Sequence, residues 1–183
     1  MSYFSVAAAQ RGINSMWNDL ILYAAQTYMV DPALIKAIIS AESAWVPTAA
    51  SSSSVGLMQI NYQAHGVARE TALDPAWNIT YGTSVLANQL QRRPSIDLAL
   101  AAYNAGTSRS DADLAQRIAA NTNGVGNYVQ TVLDFYQWFI TNDPLAIPGG
   151  GGGTPEPFPA RPIASGYGRV ARLAKPVDPI GGG

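Results

Sequence analysis

Twice an Asp-Pro pair opens a run of helix-forming residues with apolar side chains at every third or fourth position, at Asp31-Pro32 and again at Asp74-Pro75. An aspartate carboxylate accepts from the orphan amides of a first helical turn, and proline suits the first helical position, whose N–H has no partner anyway. The first of these helices is predicted over about residues 33–44, with Pro47 barring its continuation. The second carries Ile79, Leu86 and Leu90 and stops at Pro94. The same period recurs on either side. Ile13, Trp17, Leu20, Ile21, Ala24 and Tyr28 predict one amphipathic helix ahead of Asp31. Ser95 opens a helix through LALAAYN to Gly106, residues 111–120 give a short one, and residues 125–140 a longer one bearing Tyr128, Val132, Phe135 and Phe139. Two-residue alternation is never sustained, and residues 51–54 are the place for a loop or a short strand. The expected class is mainly α, with little or no β.

This regularity ends near residue 147. From Pro148 onward come five consecutive glycines, six prolines between Pro155 and Pro179, and a closing Gly-Gly-Gly. A segment of this kind has too little apolar surface to offset the entropy of ordering itself. The expected organisation is therefore a helical domain over 1–147 and an extended tail over 148–183. The domain has seven basic and ten acidic side chains and the tail four and two. A slightly basic, Pro/Gly-rich tail on a slightly acidic domain reads as a docking arm, with an inert linker as the alternative.

Charge also narrows the function. Charged residues are 13% of the chain and the formal net charge is −1, so the basic footprint of a nucleic-acid binder is missing. With no cysteine and the single histidine His65, no thiolate or histidine metal site is expected, and no cofactor motif is found. No apolar segment is long enough to span a bilayer, and the first residues show neither a basic start nor an apolar stretch of secretory length. Delivery to any extracellular target is thus expected to depend on something else.

One carboxylate sits where the pattern asks for an aliphatic residue. The stripe Ile35, Ile38, Ile39 continues to Glu42, seven residues beyond Ile35 and three beyond Ile39. Burial disfavours the charged form and raises a carboxyl pKa. A carboxylic acid that keeps its proton near neutral pH can protonate a glycosidic oxygen. From the period alone, a Glu42 that bends out to solvent in the last helical turn is equally compatible.

The surrounding residues narrow that choice. After Glu42 the chain reads ESAWVPTAAS, then GLMQIN from Gly56, DPAWNITYGTSVL from Asp74, ALAAYNAG from Ala99 and YVQTVL from Tyr128. In this order and spacing the motifs resemble the soluble lytic transglycosylase domain, across roughly residues 13–140. The resemblance implies a lysozyme-like helical domain, of the goose-type lysozyme and lytic transglycosylase kind, that cleaves peptidoglycan glycan strands. It implies Glu42 as catalytic acid and then base, and Ser51 as a hydrogen-bond partner of the substrate's N-acetyl group. Gln59 would line the cleft beside the scissile bond together with Met58, and Gly56 would let the backbone approach closely. Tyr103 would donate its hydroxyl to Glu42, with Asn78 and Asn104 in supporting roles. Two departures are visible. The stretch between Ser51 and Gly56 is one residue short and all serine before Val55, and Asn61 stands where Met-Pro is commoner. Both look like the small members associated with phage and with secretion machines.

Most glycosidases use two carboxylates, with substrate-assisted families as exceptions. Here Asp31 and Asp74 read as caps, Asp97 and Asp111 lie at helix starts, and Glu70 falls in a polar loop, so a single-carboxylate mechanism suits the inventory better. The implied reaction is cleavage between N-acetylmuramic acid and N-acetylglucosamine with closure of a 1,6-anhydro ring and no metal or cofactor. A lysozyme-type hydrolase on the same fold, and a structural or adaptor protein that kept only the fold, are the alternatives. A virion component acting on the bacterial wall is the favoured setting, docked through residues 148–183, with a bacterial secretion apparatus as the other. Among the remaining side chains, His65 is expected in a loop or at a rim. Trp77, Tyr136 and Trp138 are expected in the core, and Trp45 and Tyr62 are candidates for stacking on a sugar. Arg92 and Arg93 are expected to complement a helix C-terminus.

Overall fold

The computed structural model describes residues 5–13 and 15–143; the expected 148–183 docking arm lies outside them. Eight α-helices and a two-stranded hairpin follow in chain order among the described residues. They are α1 (Val6–Ile13), α2 (Asn18–Tyr28), α3 (Pro32–Ser43), β1 (Ser54–Val55), β2 (Ile60–Asn61), α4 (Arg69–Leu73), α5 (Pro75–Arg92), α6 (Ile96–Ala105), α7 (Asp111–Ala119) and α8 (Val125–Asn142). The mainly α, lysozyme-like class is the one expected.

The capping signals act as anticipated. Asp31 Oδ1 accepts from the Ala33 amide at 2.8 Å, Asp74 Oδ1 from Trp77 at 2.8 Å, and Ser95 Oγ from Leu98 at 3.3 Å. The second oxygen of Asp31 accepts from the Tyr136 hydroxyl at 2.8 Å, so this cap also ties α3 to α8. These two helices form the most extensive contact between elements. Ten of the twelve residues of α3 are buried, leaving it a central helix apolar nearly all round instead of a surface helix with one stripe. The remaining helices surround it: α2 packs on α3 and α5, α5 on α6, and α6 on α7 and α8.

Two readings are corrected here. The single helix expected from Ile13 to Tyr28 is two, because side chains near the join compete for the backbone. Ser15 Oγ accepts from the Trp17 amide at 3.1 Å, and Asn18 Nδ2 donates to the Ile13 carbonyl at 3.0 Å. Glu70, expected in a loop, lies in the first turn of α4, where its charge favours the positive end of the helix.

The core holds one charged pair that the pattern did not announce. Lys36, in the middle of α3, is buried and meets the buried Asp143 at 2.5 Å, just past the end of α8. An unpaired ammonium there would carry a desolvation cost of several kcal/mol, on general grounds, so this contact fixes where α8 ends against α3. Arg93 does more than face a helix end. Its guanidinium donates to Asp111 Oδ1 and to the carbonyls of Thr107 and Arg109, tying the α6–α7 connection to the end of α5.

Candidate active site

Glu42 occupies the last turn of α3, where the central helix begins to emerge from the core. The chain reverses immediately after it. Ala44 and Trp45 both take left-handed backbone angles, with φ of 48° and 72°. That turn is sustained by burial of the Trp45 indole, whose Nε1 donates to Ser40 Oγ at 2.9 Å, and by Arg11, which donates to the Ala44 carbonyl at 2.9 Å. Trp45 is therefore a core residue that braces the end of α3, and its expected role as a sugar platform does not hold.

Burial dominates the electrostatics of Glu42 and raises its pKa from an ordinary 4.5 to about 7. The opposing influence is the Tyr128 hydroxyl on α8, which favours the carboxylate. The Tyr128 oxygen is itself buried and forms no well-aligned hydrogen bond, so it faces the acid without being locked to it. Tyr103 on α6 also senses Glu42. Burial first, and the Glu42 charge second, push the pKa of both phenols well above 10. No other carboxylate figures among the causes that shift Glu42, so the site holds one acid flanked by two phenols.

The Tyr103 hydroxyl does not donate to Glu42, as the resemblance implied. It donates to the Met58 carbonyl at 2.9 Å. Tyr103 thus links α6 to the GLMQ loop, and the phenol with a polar contact to the acid is Tyr128, on a helix that contributed no site residue to the expectation. Tyr128 lies on the apolar period of α8 within the YVQTVL motif, and that membership was the available signal.

The GLMQ loop joins β1 to β2, paired antiparallel with Val55 opposite Ile60 and Ser54 opposite Asn61. Asn78, fully buried on α5, holds this loop with its whole amide. Its Oδ1 accepts from the Met58 amide at 2.7 Å, and its Nδ2 donates to the carbonyls of Val55 at 2.9 Å and Ala72 at 2.7 Å. Asn78 therefore positions the loop and has no amide donor left for substrate. Gly56 has φ of +85°, and a Cβ there would collide with the Asn78 side chain, 2.6 Å from its Cγ. The close approach that Gly56 allows is to Asn78, not to a sugar. Met58 is buried, with its side chain against Gly82.

Gln59 also has a left-handed backbone, with φ of 48°. Its Nε2 donates to the carbonyls of Gly56 at 2.9 Å and Ala49 at 3.1 Å, while Oε1 has no partner among the described residues. Anchored this way, Gln59 presents an oriented acceptor next to the Met58 carbonyl that Tyr103 binds. Ser51 is exposed in the turn before β1, where its Oγ accepts from the Ser54 amide at 3.1 Å. Asn104 is exposed on α6 beside Tyr103. Among the described residues there is no group of three or more His, Asp or Glu side chains suited to a metal, and no helix long and apolar enough to cross a membrane.

A helical domain whose central helix ends in one buried acid, faced by tyrosines and a stapled loop, is the arrangement of a lysozyme-like glycan-cleaving protein. Residues 19–124 match the transglycosylase SLT domain family, and the chain belongs to that family. Over 129 residues, 64% of this chain and 81% of the relative, it is 31% identical to invasion protein IagB of Salmonella typhimurium (strain SL1344). It is 32% identical over 97 residues to the transglycosylase of Enterobacteria phage PRD1, covering 52% of this chain and 37% of that one. It is 34% identical over 99 residues to membrane-bound lytic murein transglycosylase E of Buchnera aphidicola subsp. Acyrthosiphon pisum (strain APS), covering 47% of this chain and 45% of the relative. The activity is that of a peptidoglycan lytic transglycosylase, a lyase.

Proposed function

We propose that Glu42 carries this reaction alone, as acid and then as base, on the β-1,4 bond between N-acetylmuramic acid and N-acetylglucosamine. The observation that carries this reading is a single carboxyl raised to about 7 with no second carboxylate among its perturbers. A retaining glycosidase would need a partner about 5–5.5 Å away and an inverting one a partner within about 9.5 Å. Protonated Glu42 gives its proton to the glycosidic oxygen as that bond breaks, with the muramoyl acetamido group assisting departure. The carboxylate so formed removes the proton from the C6 hydroxyl, whose oxygen closes the 1,6-anhydro ring. The two roles need one group whose pKa lies near the working pH, because it must be both a competent donor and a competent acceptor. Tyr128 offsets part of the burial cost of the anion in the second half. Gln59 and Ser51 orient the substrate around the bond, and Tyr103 and Asn78 hold the loop that bears Gln59.

Analysis of the muropeptides released from sacculi tests this directly. Anhydro-muramoyl ends are expected with the wild-type chain, and Glu42→Gln should retain less than about a hundredth of the activity, the scale of a general-acid contribution. Reducing ends would instead identify a hydrolase, and turnover by Glu42→Gln would overturn the assignment of the acid.

We further propose that the enzyme opens the wall locally for a phage particle, in which residues 148–183 serve as the docking arm. The phage relative supports that setting, and the Salmonella invasion protein supports the alternative of a bacterial delivery apparatus. Presence of the chain in purified virions distinguishes the two.

A further inference from the structure

The chemistry at Glu42 leaves unused a second group of side chains, rooted in the same loop. Trp77 and Tyr81, one turn apart on α5, stack with centroids 4.5 Å apart and planes 10° from parallel. The imidazole of His65 meets Tyr81 edge-on, with centroids 5.2 Å apart and an angle of 73°. Its Nδ1 lies 2.9 Å from the Tyr81 hydroxyl. Both aromatic rings are half-buried and His65 is exposed, so the expectation that Trp77 is simply core holds only in part.

The hydrogen bond to Tyr81 settles the use of one imidazole nitrogen and leaves the other. Nε2 has no partner among the described residues, and burial lowers the His65 pKa below 6.5, so the ring is neutral at pH 7. Whichever tautomer Tyr81 selects, Nε2 is then a donor or an acceptor, and a sugar hydroxyl can meet either. The Trp77 indole N–H is likewise without a partner. A stacked aromatic pair with a neutral hydrogen-bonding edge suits a hexose ring, which has apolar C–H faces and hydroxyl edges.

Its placement ties the group to the site. His65 lies in the turn that follows β2, its amide donating to the Asn61 carbonyl at 3.2 Å, and β2 itself follows Gln59. Trp77 directly precedes Asn78, which holds Met58, and Tyr81 directly precedes Gly82, which abuts the Met58 side chain. Both halves of the group thus extend from residues that fix the GLMQ loop.

We propose that His65, Tyr81 and Trp77 form an accessory glycan subsite, taking one N-acetylhexosamine of the strand at a distance from the bond cut at Glu42. This rests on the transglycosylase reading above.

The experiment compares wild type, His65→Ala and Tyr81→Phe on peptidoglycan oligosaccharides of increasing length, from tetrasaccharide to long strands. His65 is exposed and Tyr81→Phe keeps the stack, so both variants should fold, as circular dichroism would verify. Above a threshold length both should raise KM about 3- to 10-fold, the range covered by loss of one hydrogen bond, with kcat unchanged. The tetrasaccharide should be turned over as by wild type. Co-sedimentation with sacculi in the Glu42→Gln background should weaken in parallel when His65→Ala is added. Equal slowing at every length, or no change at any length, would overturn the subsite. Failure of the transglycosylase reading is distinct, since wild type would then release no anhydro ends from any substrate while the sedimentation comparison still reports on the subsite.

Discussion

Because burial lifts Glu42 from 4.5 to about 7, its proton couples activity to stability. Between these values the unfolded chain has lost the proton and the folded chain still holds it. The stabilising linkage is therefore complete below about 4.5 and is lost as pH rises through about 7. Two and a half pKa units correspond to at most about 3 kcal/mol, less in practice because the side chain is only partly covered. Glu42→Gln, which cannot ionise, should match wild-type stability at pH 4 and exceed it by about 1–3 kcal/mol at pH 8 in urea denaturation. Parallel stability curves across that range would show that Glu42 ionises normally. The two tyrosines should separate by pH–rate profile. Tyr128→Phe removes the hydroxyl that favours the anion, so the alkaline limb governed by Glu42 should move to higher pH. Tyr103→Phe removes the bond to the Met58 carbonyl, so it should lower activity with that limb in place. If Tyr103→Phe moves the limb and Tyr128→Phe does not, the assignment of the two phenols is reversed.

The GLMQ loop depends on an element distant in sequence, and a double-mutant cycle can read that dependence. Asn78→Ala strands the Met58 amide and the Val55 and Ala72 carbonyls, at a cost of about 2–4 kcal/mol. Gly56→Ala should also be severe in the wild-type chain, because the new Cβ meets the Asn78 side chain. In the Asn78→Ala background that collision is gone and only the strain of φ +85° remains, so the second substitution should cost measurably less. Additive losses would mean that the loop is held by something else. This coupling also explains what the sequence could and could not convey. Helix starts were legible because Asp31, Asp74 and Ser95 act on amides two or three residues away, and Glu42 was legible because helical period is local. The role of Gly56 was not, since it is set by a side chain twenty-two positions on, and neither was Tyr103's partner, forty-five residues back. The split between α1 and α2 was missed because an unbroken apolar period does not register Ser15 and Asn18 bonding to the backbone. Lys36 was passed over because a lysine on an apolar helix looks like an outward residue until Asp143 is brought beside it.

At the scale of the whole molecule, that ion pair determines how much of the chain the helical domain needs. Asp143 is the last described residue and supplies the counter-ion for a lysine in the middle of the central helix. A chain ending at Leu145 keeps the pair and should retain both the fold and the release of anhydro-muropeptides. A chain ending at Asn142 leaves the Lys36 ammonium buried without that carboxylate, at a cost of about 3–5 kcal/mol, a large part of the stability of a domain of this size. Adding Lys36→Met to the shorter chain removes the stranded charge at similar volume and should recover most of the loss. Thermal denaturation of the three chains checks this, and equal stability of the two truncations would show that the pair contributes nothing net. The Leu145 chain also tests the docking arm, because it separates enzyme from tail. It should cleave sacculi at the wild-type rate yet be absent from particles assembled with it in place of the full chain. Normal incorporation of the truncated enzyme would refute a docking role for residues 148–183, and loss of cleavage in solution would show that the tail belongs to the catalytic unit.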